Sequence, residues 1–232
     1  MKRFVLSVMA TAGLAVASPA MSADWTGFYV SGGAGYGAWS ADTTTVNPTT
    51  GAPILSLVQT QGGKGALGTI GIGYDYQYNT NIVLGLLADY DFSSLKGTIQ
   101  DQGPFYAANI KQTYAIAAGV RVGWLFNPDT LGFVSGGWSR THFSGGAANF
   151  AFPPNAASGT EYLPFSKNGW FLGLGVETQV SPGWFLRGEY RCASYGNTNI
   201  RNVITATGAT GAASIAFKPT VQTGKLQVVY KF

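Results

Sequence analysis

The sequence predicts an all-β fold: an eight-stranded antiparallel up-and-down transmembrane β-barrel, preceded by a cleaved signal peptide. Eight segments alternate apolar residues with small or polar ones, the pattern of strands whose two faces meet different surroundings. The connections between these segments are alternately short and long. Charged residues make up 10% of the 232-residue chain and aromatic residues 14%, whereas soluble domains are about 25% charged. This composition favours strands that meet lipid on one face.

The first 23 residues are expected to form a secretory signal peptide. Lys2 and Arg3 provide the basic start, and residues 4–16 form an apolar run of 13 residues. That run is shorter than the roughly 20 residues of a transmembrane helix. The small residues that follow it are Ser18, Ala20, Ser22 and Ala23. We expect cleavage after Ala23, with Ala20 and Ser22 as alternative positions, so that residues 1–23 are the signal peptide and residues 24–232 the barrel domain.

Net charge and cysteine content exclude several kinds of site. The formal net charge of +4 falls by two, to +2, once Lys2 and Arg3 are removed, which is too small to indicate nucleic-acid binding. The single cysteine, Cys192, cannot form an intramolecular disulfide or a cysteine-based metal cluster. The sequence therefore predicts no cofactor and no nucleic-acid partner.

The first four predicted strands are residues 28–39, 66–78, 82–92 and 110–126. Glycines weaken the pattern in the first, but Tyr36 keeps an even position apolar. The second and third place isoleucines, leucines and aromatic residues on even positions. The fourth is the clearest: its even positions, from Ile110 to Phe126, are mostly apolar, while its odd positions, from Lys111 to Leu125, are mostly small or charged.

The last four predicted strands are residues 131–143, 170–180, 184–192 and 220–232. Even positions again carry the large apolar side chains, including Trp138, Trp170, Leu174, Trp184 and Val228. Short turns are predicted at 79–81, 127–130 and 181–183, and long polar connections at 40–65, 93–109, 144–168 and 196–219. Short turns on one side and long loops on the other are typical of bacterial outer-membrane barrels, with both termini in the periplasm.

Charged residues within the predicted strands share the odd-numbered face. They are Asp75, Asp89, Asp91, Lys111, Arg121, Glu177, Arg187, Glu189, Arg191, Lys225 and Lys231. An Arg or Lys facing lipid at the bilayer midplane costs a barrel about 2–4 kcal/mol, so this face is expected to line the lumen and form a charge network. Only Arg140 and His142 break the pattern, both near the end of their strand that leads to a long loop.

The alternative is a soluble lipocalin-like barrel, whose strands also alternate apolar and polar residues. In such a barrel the charged face would be the outer, water-exposed face, and it would need more than 11 charges over eight strands. The predicted topology also places two belts of aromatic residues on the even face, as the two membrane interfaces require. One belt contains Phe28, Tyr76, Tyr78, Trp124, Phe126, Trp184, Tyr230 and Phe232, and the other Tyr36, Tyr90, Phe92, Tyr114, Trp138 and Trp170. The membrane barrel is therefore favoured.

An ion pair follows from the turn at 181–183. Val180 and Trp184 both belong to the outward face, so we expect them to lie opposite each other across a three-residue connection with a glycine bulge. Counting back from that pair sets Glu177 directly across from Arg187, both facing inward, with Arg121 as a second cation for the same carboxylate. Opposite charges meeting in this way predict a filled lumen, because eight strands enclose little more space than side chains occupy.

Three stretches carry a resemblance to a known family. DWTGFYVSGGAGYG at 24–37, LRGEYRCASYG at 186–196 and LQVVYKF at 226–232 resemble the small porin-family, OmpA-like outer-membrane β-barrel domain proteins of Gram-negative bacteria. The resemblance implies an outer-membrane location. It also implies that Tyr230 and Phe232 form the assembly signal read by the barrel-assembly machinery. Cys192 departs from the family, which often has an aromatic residue there.

For function, the sequence favours a structural and surface role without catalysis: outer-membrane integrity, with exposed loops available for interaction. Expected partners are outer-membrane lipids and lipopolysaccharide, the barrel-assembly machinery, and a surface ligand held by the loops. The alternative is a low-conductance porin or an uptake protein for a ligand such as haem, which the resemblance suggests. An enzyme would have to use His142, the only histidine, and that residue is expected to face outward beside Arg140.

Overall fold

The computed structural model describes residues 24–54, 58–100, 106–150 and 157–232, which form eleven β-strands. The predicted signal peptide, residues 1–23, lies outside the described residues. The strands are β1 (Gly27–Val46), β2 (Gln59–Gln77), β3 (Ile82–Gln100), β4 (Tyr106–Asn127), β5 (Thr130–Ser144), β6 (Gly146–Phe150), β7 (Ala157–Tyr162), β8 (Phe165–Ser181), β9 (Trp184–Tyr195), β10 (Thr198–Ile204) and β11 (Thr210–Lys231). In the described part of the chain, no helix has both the length and the apolar character to cross a membrane.

Eight of these strands close into a ring. The order is β1-β2-β3-β4-β5-β8-β9-β11, and antiparallel pairing of β1 with β11, for example Val30 with Tyr230, completes it. The eight-stranded antiparallel up-and-down barrel predicted from the sequence is confirmed, and each predicted strand matches part of one strand of the ring, with 66–78 and 220–232 each extending one residue beyond β2 and β11. A closed ring leaves no unpaired strand edge, which is what a β-structure in lipid requires.

The two ends of the barrel differ. Short turns after Gln77, Asn127 and Ser181 lie at one end, together with Lys231 at the end of β11; we call this the turn end. The opposite end carries the longer connections and is called the loop end. The predicted connections 40–65 and 93–109 were wrong in extent, because β1 continues to Val46 and β3 to Gln100. Strands that have left the lipid no longer need an apolar face, so their sequence loses the alternation.

Three further strands extend the wall at the loop end. β6 pairs with β4, β7 with β6 and β10, and β10 with β11. With β1 to β4 and β11 they complete a second circuit of eight strands above the point where β5, β8 and β9 end. Within the stretches 144–168 and 196–219, predicted as loops, β6, β7, β10 and the first part of β11 therefore supply barrel wall.

The two faces of the strands separate as the alternation predicts. Mid-strand aliphatic residues such as Ile72, Val120 and Leu174 are 62%, 55% and 61% exposed on the outer surface, which is the face that lipid would cover. Aromatic residues flank them towards both ends. Exposed aromatic residues are Phe28, Tyr76, Tyr78, Trp124, Phe126, Trp184 and Phe232 near the turn end, and Tyr36, Phe92, Trp138 and Trp170 towards the loop end.

One local irregularity reverses the alternation in β4. The register with β5 shifts between Gln112 and Tyr114, a β-bulge. On the loop side of this bulge even positions point inward: Ile110 and Gln112 are both buried, and Gln112 Nε2 donates to Thr141 Oγ1 at 2.9 Å. The alternation predicted that Ile110 faces outward and Lys111 faces the lumen, and both predictions were therefore wrong. Lys111 lies between two buried neighbours and points to the outer surface.

Candidate functional site in the barrel lumen

The lumen contains ten of the eleven charged residues that the sequence placed there, and Lys111 is the exception. They form two layers stacked along the barrel axis. The turn-side layer consists of Asp75, Arg121, Glu177, Arg187 and Lys231. The loop-side layer consists of Asp89, Asp91, Glu189, Arg191 and Lys225.

The turn-side layer is built around two fully buried carboxylates, Asp75 and Glu177. Arg121 bridges them: its Nε lies 2.8 Å from Asp75 Oδ1, its Nη2 contacts Asp75 Oδ2, and its Nη1 lies 2.8 Å from Glu177 Oε2. Arg187 Nε donates to the same Glu177 oxygen at 2.7 Å. Lys231 Nζ donates to Asp75 Oδ2 at 2.7 Å. Each buried carboxylate therefore meets at least two cations.

The Glu177–Arg187 pair that the register predicted is present, but the turn that produces it differs in detail. Glu177 lies opposite Arg187, whereas Ser181, and not Val180, lies opposite Trp184. The register shift falls at Val180, inside β8, so the connection is a two-residue turn in which Gly183 has a φ of 74°. The extra residue lies before the turn rather than within it, and either arrangement restores the same alternation.

In the loop-side layer, Arg191 holds two carboxylates. Its two terminal nitrogens each donate to an oxygen of Asp89 at 2.8 Å, a bidentate pair. Its Nη2 also donates to Glu189 Oε1 at 2.9 Å. Lys225 Nζ donates to Asp91 Oδ1 at 2.9 Å and lies 3.4 Å from Asp89 Oδ1.

The two layers balance each other's charge. Three cations and two carboxylates form the turn-side layer, and two cations and three carboxylates the loop-side layer. The network thus contains five charges of each sign, which it would not if Lys111 pointed inward. Buried charges are tolerated only when paired, so the bulge in β4 removes the one cation that lacked a counterion.

Aromatic side chains close the charged layers off at the turn end. Lys231 Nζ lies 4.4 Å from the centroid of the Trp25 ring, and Arg187 stacks 4.7 Å above Tyr29. Trp25 is fully buried, packs 5.0 Å from Phe185, and donates from Nε1 to the carbonyl oxygen of Pro128 at 3.0 Å. Trp25 was not among the residues predicted to line the lumen, because it precedes the first predicted strand, although its odd position agrees with the inward face.

A second apolar cluster fills the lumen at the loop end. Trp39 is its centre, with Phe143 at 5.7 Å and Phe217 at 5.6 Å in edge-to-face contacts. The Trp39 Nε1 donates to the carbonyl oxygen of Leu95 at 3.2 Å. Its odd position also signalled an inward side chain, but only the closed ring brings these rings together. Ile110 joins this cluster because of the bulge.

Little space remains between these layers. A cavity of about 10 Å³ lies between Arg121, Arg187 and Arg191, and one of about 20 Å³ is lined by Asp91, Gln112 and Tyr195. Each is of the order of a single water molecule. The charged layers thus form a packed lumen, and the cavities beside them are small.

A substitution at Gly85 would test how closely the charge network is packed. A Cβ at this position would meet Asp75 Oδ1 and lie 2.9 Å from Arg121 Cγ, so Gly85→Ala should displace the Asp75–Arg121 pair. We expect the free energy of unfolding in urea to fall by about 1–3 kcal/mol. Gly224→Ala is the control, because nothing lies within 4 Å of its added Cβ. Equal stability of the two variants would contradict this packing.

The remaining predicted residues lie on the outer surface. Tyr230 packs 4.8 Å from Trp184 and 5.1 Å from Phe232, which is 76% exposed at the turn end. Arg140 is exposed, as expected. His142 stacks on Tyr114 at 5.1 Å, and its Nδ1 lies 2.8 Å from Ser166 Oγ.

A closed barrel with an apolar outer surface, aromatic belts and a charged, filled interior defines an integral outer-membrane β-barrel protein. The chain matches the model of the outer membrane protein beta-barrel domain over residues 6–232. It therefore belongs to that family, and its location is the bacterial outer membrane, among the lipids of that membrane.

Known relatives agree with this assignment. The chain is 25% identical over 191 residues to the 31 kDa outer-membrane immunogenic proteins of Brucella melitensis biotype 1 and Brucella suis biovar 1, covering 81% of this chain and 78% of each relative. Among solved structures, OprG of Pseudomonas aeruginosa, an outer membrane protein, is 12% identical with a TM-score of 0.55, covering 92% of this chain and 100% of OprG. The likeness to OprG shows a shared fold.

Proposed function

We propose that this protein is a closed barrel with a structural and surface role, contributing to outer-membrane integrity and presenting its loop end for interaction, without catalysis. One observation carries the proposal: the lumen is filled by a charge-balanced network between two apolar clusters. Passage of solutes would require several buried ion pairs to separate. Each would leave an unpaired charge at a cost of several kcal/mol.

The absence of catalysis rests on the position of the only histidine. His142 lies on the outer surface, stacked on Tyr114 and bonded to Ser166. A nucleophile–histidine–carboxylate arrangement also needs an acidic residue within hydrogen-bonding reach of the histidine. Ser166 supplies a hydroxyl, but among the described residues no ion pair or side-chain hydrogen bond joins His142 to a carboxylate.

Two partners are proposed from the outer surface. Arg140 and His142 face outward at the loop-end aromatic belt, where they can contact lipopolysaccharide. Tyr230 and Phe232, at the end of β11, have the alternate aromatic spacing for recognition by the barrel-assembly machinery. A surface ligand would meet the loop end, which faces away from the cell.

Planar-bilayer conductance separates this proposal from its alternative, a low-conductance porin or ligand uptake protein. The refolded barrel, run beside a known porin, is expected to show no open-channel steps. Glu177→Ala should introduce steps, because it removes the carboxylate that Arg121 and Arg187 share, so that these cations and Lys231 repel one another. Asp42→Ala, at an exposed position on β1, is the control. Stable steps from the unaltered protein would contradict the closed lumen.

A further inference from the structure

Three lysines form a row on the outer surface near the loop end. Lys64 on β2 lies opposite Lys96 on β3, and Lys96 lies opposite Lys111 on β4. Lys64 and Lys96 are exposed and Lys111 is half-buried. Neighbouring strands are about 4.8 Å apart, so three like charges stand side by side on adjacent strands. We call them the lysine row.

Such a row is unfavourable by itself, because like charges directly across a strand pair repel one another. Among the residues that the structure describes, none of the ion pairs involves these three lysines. Lys218, which is also exposed, differs: it lies opposite Asp42 across the β1–β11 pairing. The lysine row therefore lacks the opposite charge that the sheet provides elsewhere.

The bulge in β4 creates this arrangement. Without the register shift between Gln112 and Tyr114, Lys111 would point into the lumen, as the alternation of the sequence predicts. The shift moves it outward and into line with Lys96. The same feature thus keeps the lumen neutral and completes the lysine row.

The height of the row matches the phosphate level of a membrane. Lys96 is four residues beyond Phe92, Lys111 three residues beyond Tyr114, and Lys64 pairs with Ala38, two residues beyond Tyr36. At about 3.3 Å per residue and a strand tilt of about 40°, the row lies roughly 5–10 Å beyond the aromatic belt. Aromatic belts lie at the level of the interface, so the row reaches the charged groups outside it.

The two ends of the barrel differ in whether their cations face the lumen or the outer surface. Near the turn end, the cations of the described chain are Arg121, Arg187 and Lys231, and all three are buried in the lumen. In the described ranges, outward-facing cations are found only towards the loop end, which faces the outer leaflet. A ligand confined to that leaflet and bearing several negative charges fits this distribution.

We propose that the lysine row binds the phosphate groups of outer-leaflet lipopolysaccharide. The row offers three ammonium groups to a lipid with more than one phosphate, and the lipid anions replace the counterions that the sheet lacks. The proposal rests on the outer-membrane location and not on the closed lumen, so a conducting barrel would leave it intact.

The test measures binding of diphosphoryl lipid A to the refolded barrel in detergent, by native mass spectrometry over a range of lipid concentrations. A lysine near an anionic surface contributes about a fivefold gain in affinity. Lys64→Gln combined with Lys96→Gln should therefore weaken binding about 25-fold. Lys218→Gln combined with Arg201→Gln removes the same charge from exposed positions outside the row and should change affinity less than about twofold.

Two further probes identify the ligand. Lipid A stripped of its phosphates should bind the unaltered barrel and the Lys64/Lys96 variant equally, and replacing both lysines with arginine should preserve binding of the phosphorylated lipid. Equal losses in the two double glutamine variants would overturn the proposal. The proposal would also be overturned if Lys64→Gln combined with Lys96→Gln weakened binding of a soluble sulfated polysaccharide but left binding of lipid A unchanged. A folded barrel resists SDS until it is boiled, so boiled and unboiled samples migrate differently on a gel. If the Lys64/Lys96 glutamine variant lacks this difference and is therefore unfolded, Lys96→Gln alone should still weaken lipid A binding about fivefold.

Discussion

Glu177→Gln is expected to lower the free energy of unfolding by about 3–5 kcal/mol, because it removes one partner of a buried ionic cluster. Glu177 is fully buried and accepts from Arg121 at 2.8 Å and from Arg187 at 2.7 Å, with Lys231 Nζ 3.4 Å away. The amide would remove the carboxylate that Arg121 and Arg187 share, and would leave Asp75 to Arg121 and Lys231. Urea unfolding of the refolded barrel in detergent measures the change. Asp42→Asn, the corresponding carboxylate-to-amide substitution at an exposed site, should cost less than about 1 kcal/mol.

A double-substitution cycle distinguishes loss of pairing from simple loss of packing. Arg187→Gln alone should also destabilise, while Glu177→Gln combined with Arg187→Gln removes a charge of each sign. The double variant is therefore expected to lose less than the two single losses added together, by about 0.5–3 kcal/mol. Strict additivity would mean that Glu177 and Arg187 stabilise the barrel independently, against the network described above.

Val120→Arg should make the free energy of folding into the membrane less favourable by about 2–4 kcal/mol, the cost of a lipid-facing arginine near the bilayer midplane. A smaller fraction of the protein should therefore refold. Val120 is 55% exposed on β4. It lies six residues from Tyr114 in one aromatic belt and four residues from Trp124 in the other. The fraction of protein with heat-dependent gel mobility after refolding into lipid vesicles is the measurement.

The matched control is Ala147→Arg, which introduces the same side chain at an exposed position of β6 in the loop-end extension. Outside the lipid this substitution should cost close to nothing. If both variants refold equally well, the outer surface at Val120 does not meet the hydrocarbon core. If Ala147→Arg is the more damaging, the membrane lies elsewhere along the barrel.

The sequence by itself determined the eight strands of the ring, their two faces and most of the lumen charges. It could do so because alternation is a local property: each strand that meets lipid must place apolar side chains at every second position. The short turn before Trp184 likewise set Glu177 opposite Arg187, since a tight connection leaves few registers. The one histidine and the two aromatic belts could be placed for the same reason.

The tertiary structure alone decided three other features. The loop-end strands β6, β7 and β10 have no lipid-facing alternation to reveal them. They pair with the parts of β4 and β11 that extend beyond β5 and β9, where the ring of eight strands no longer covers the edges of β4 and β11. The bulge in β4 moves Lys111 outward, and one inserted residue leaves no mark in the sequence. Contacts such as Lys231 with Asp75, 156 residues apart, depend on closure of the ring, which brings the last strand beside the first.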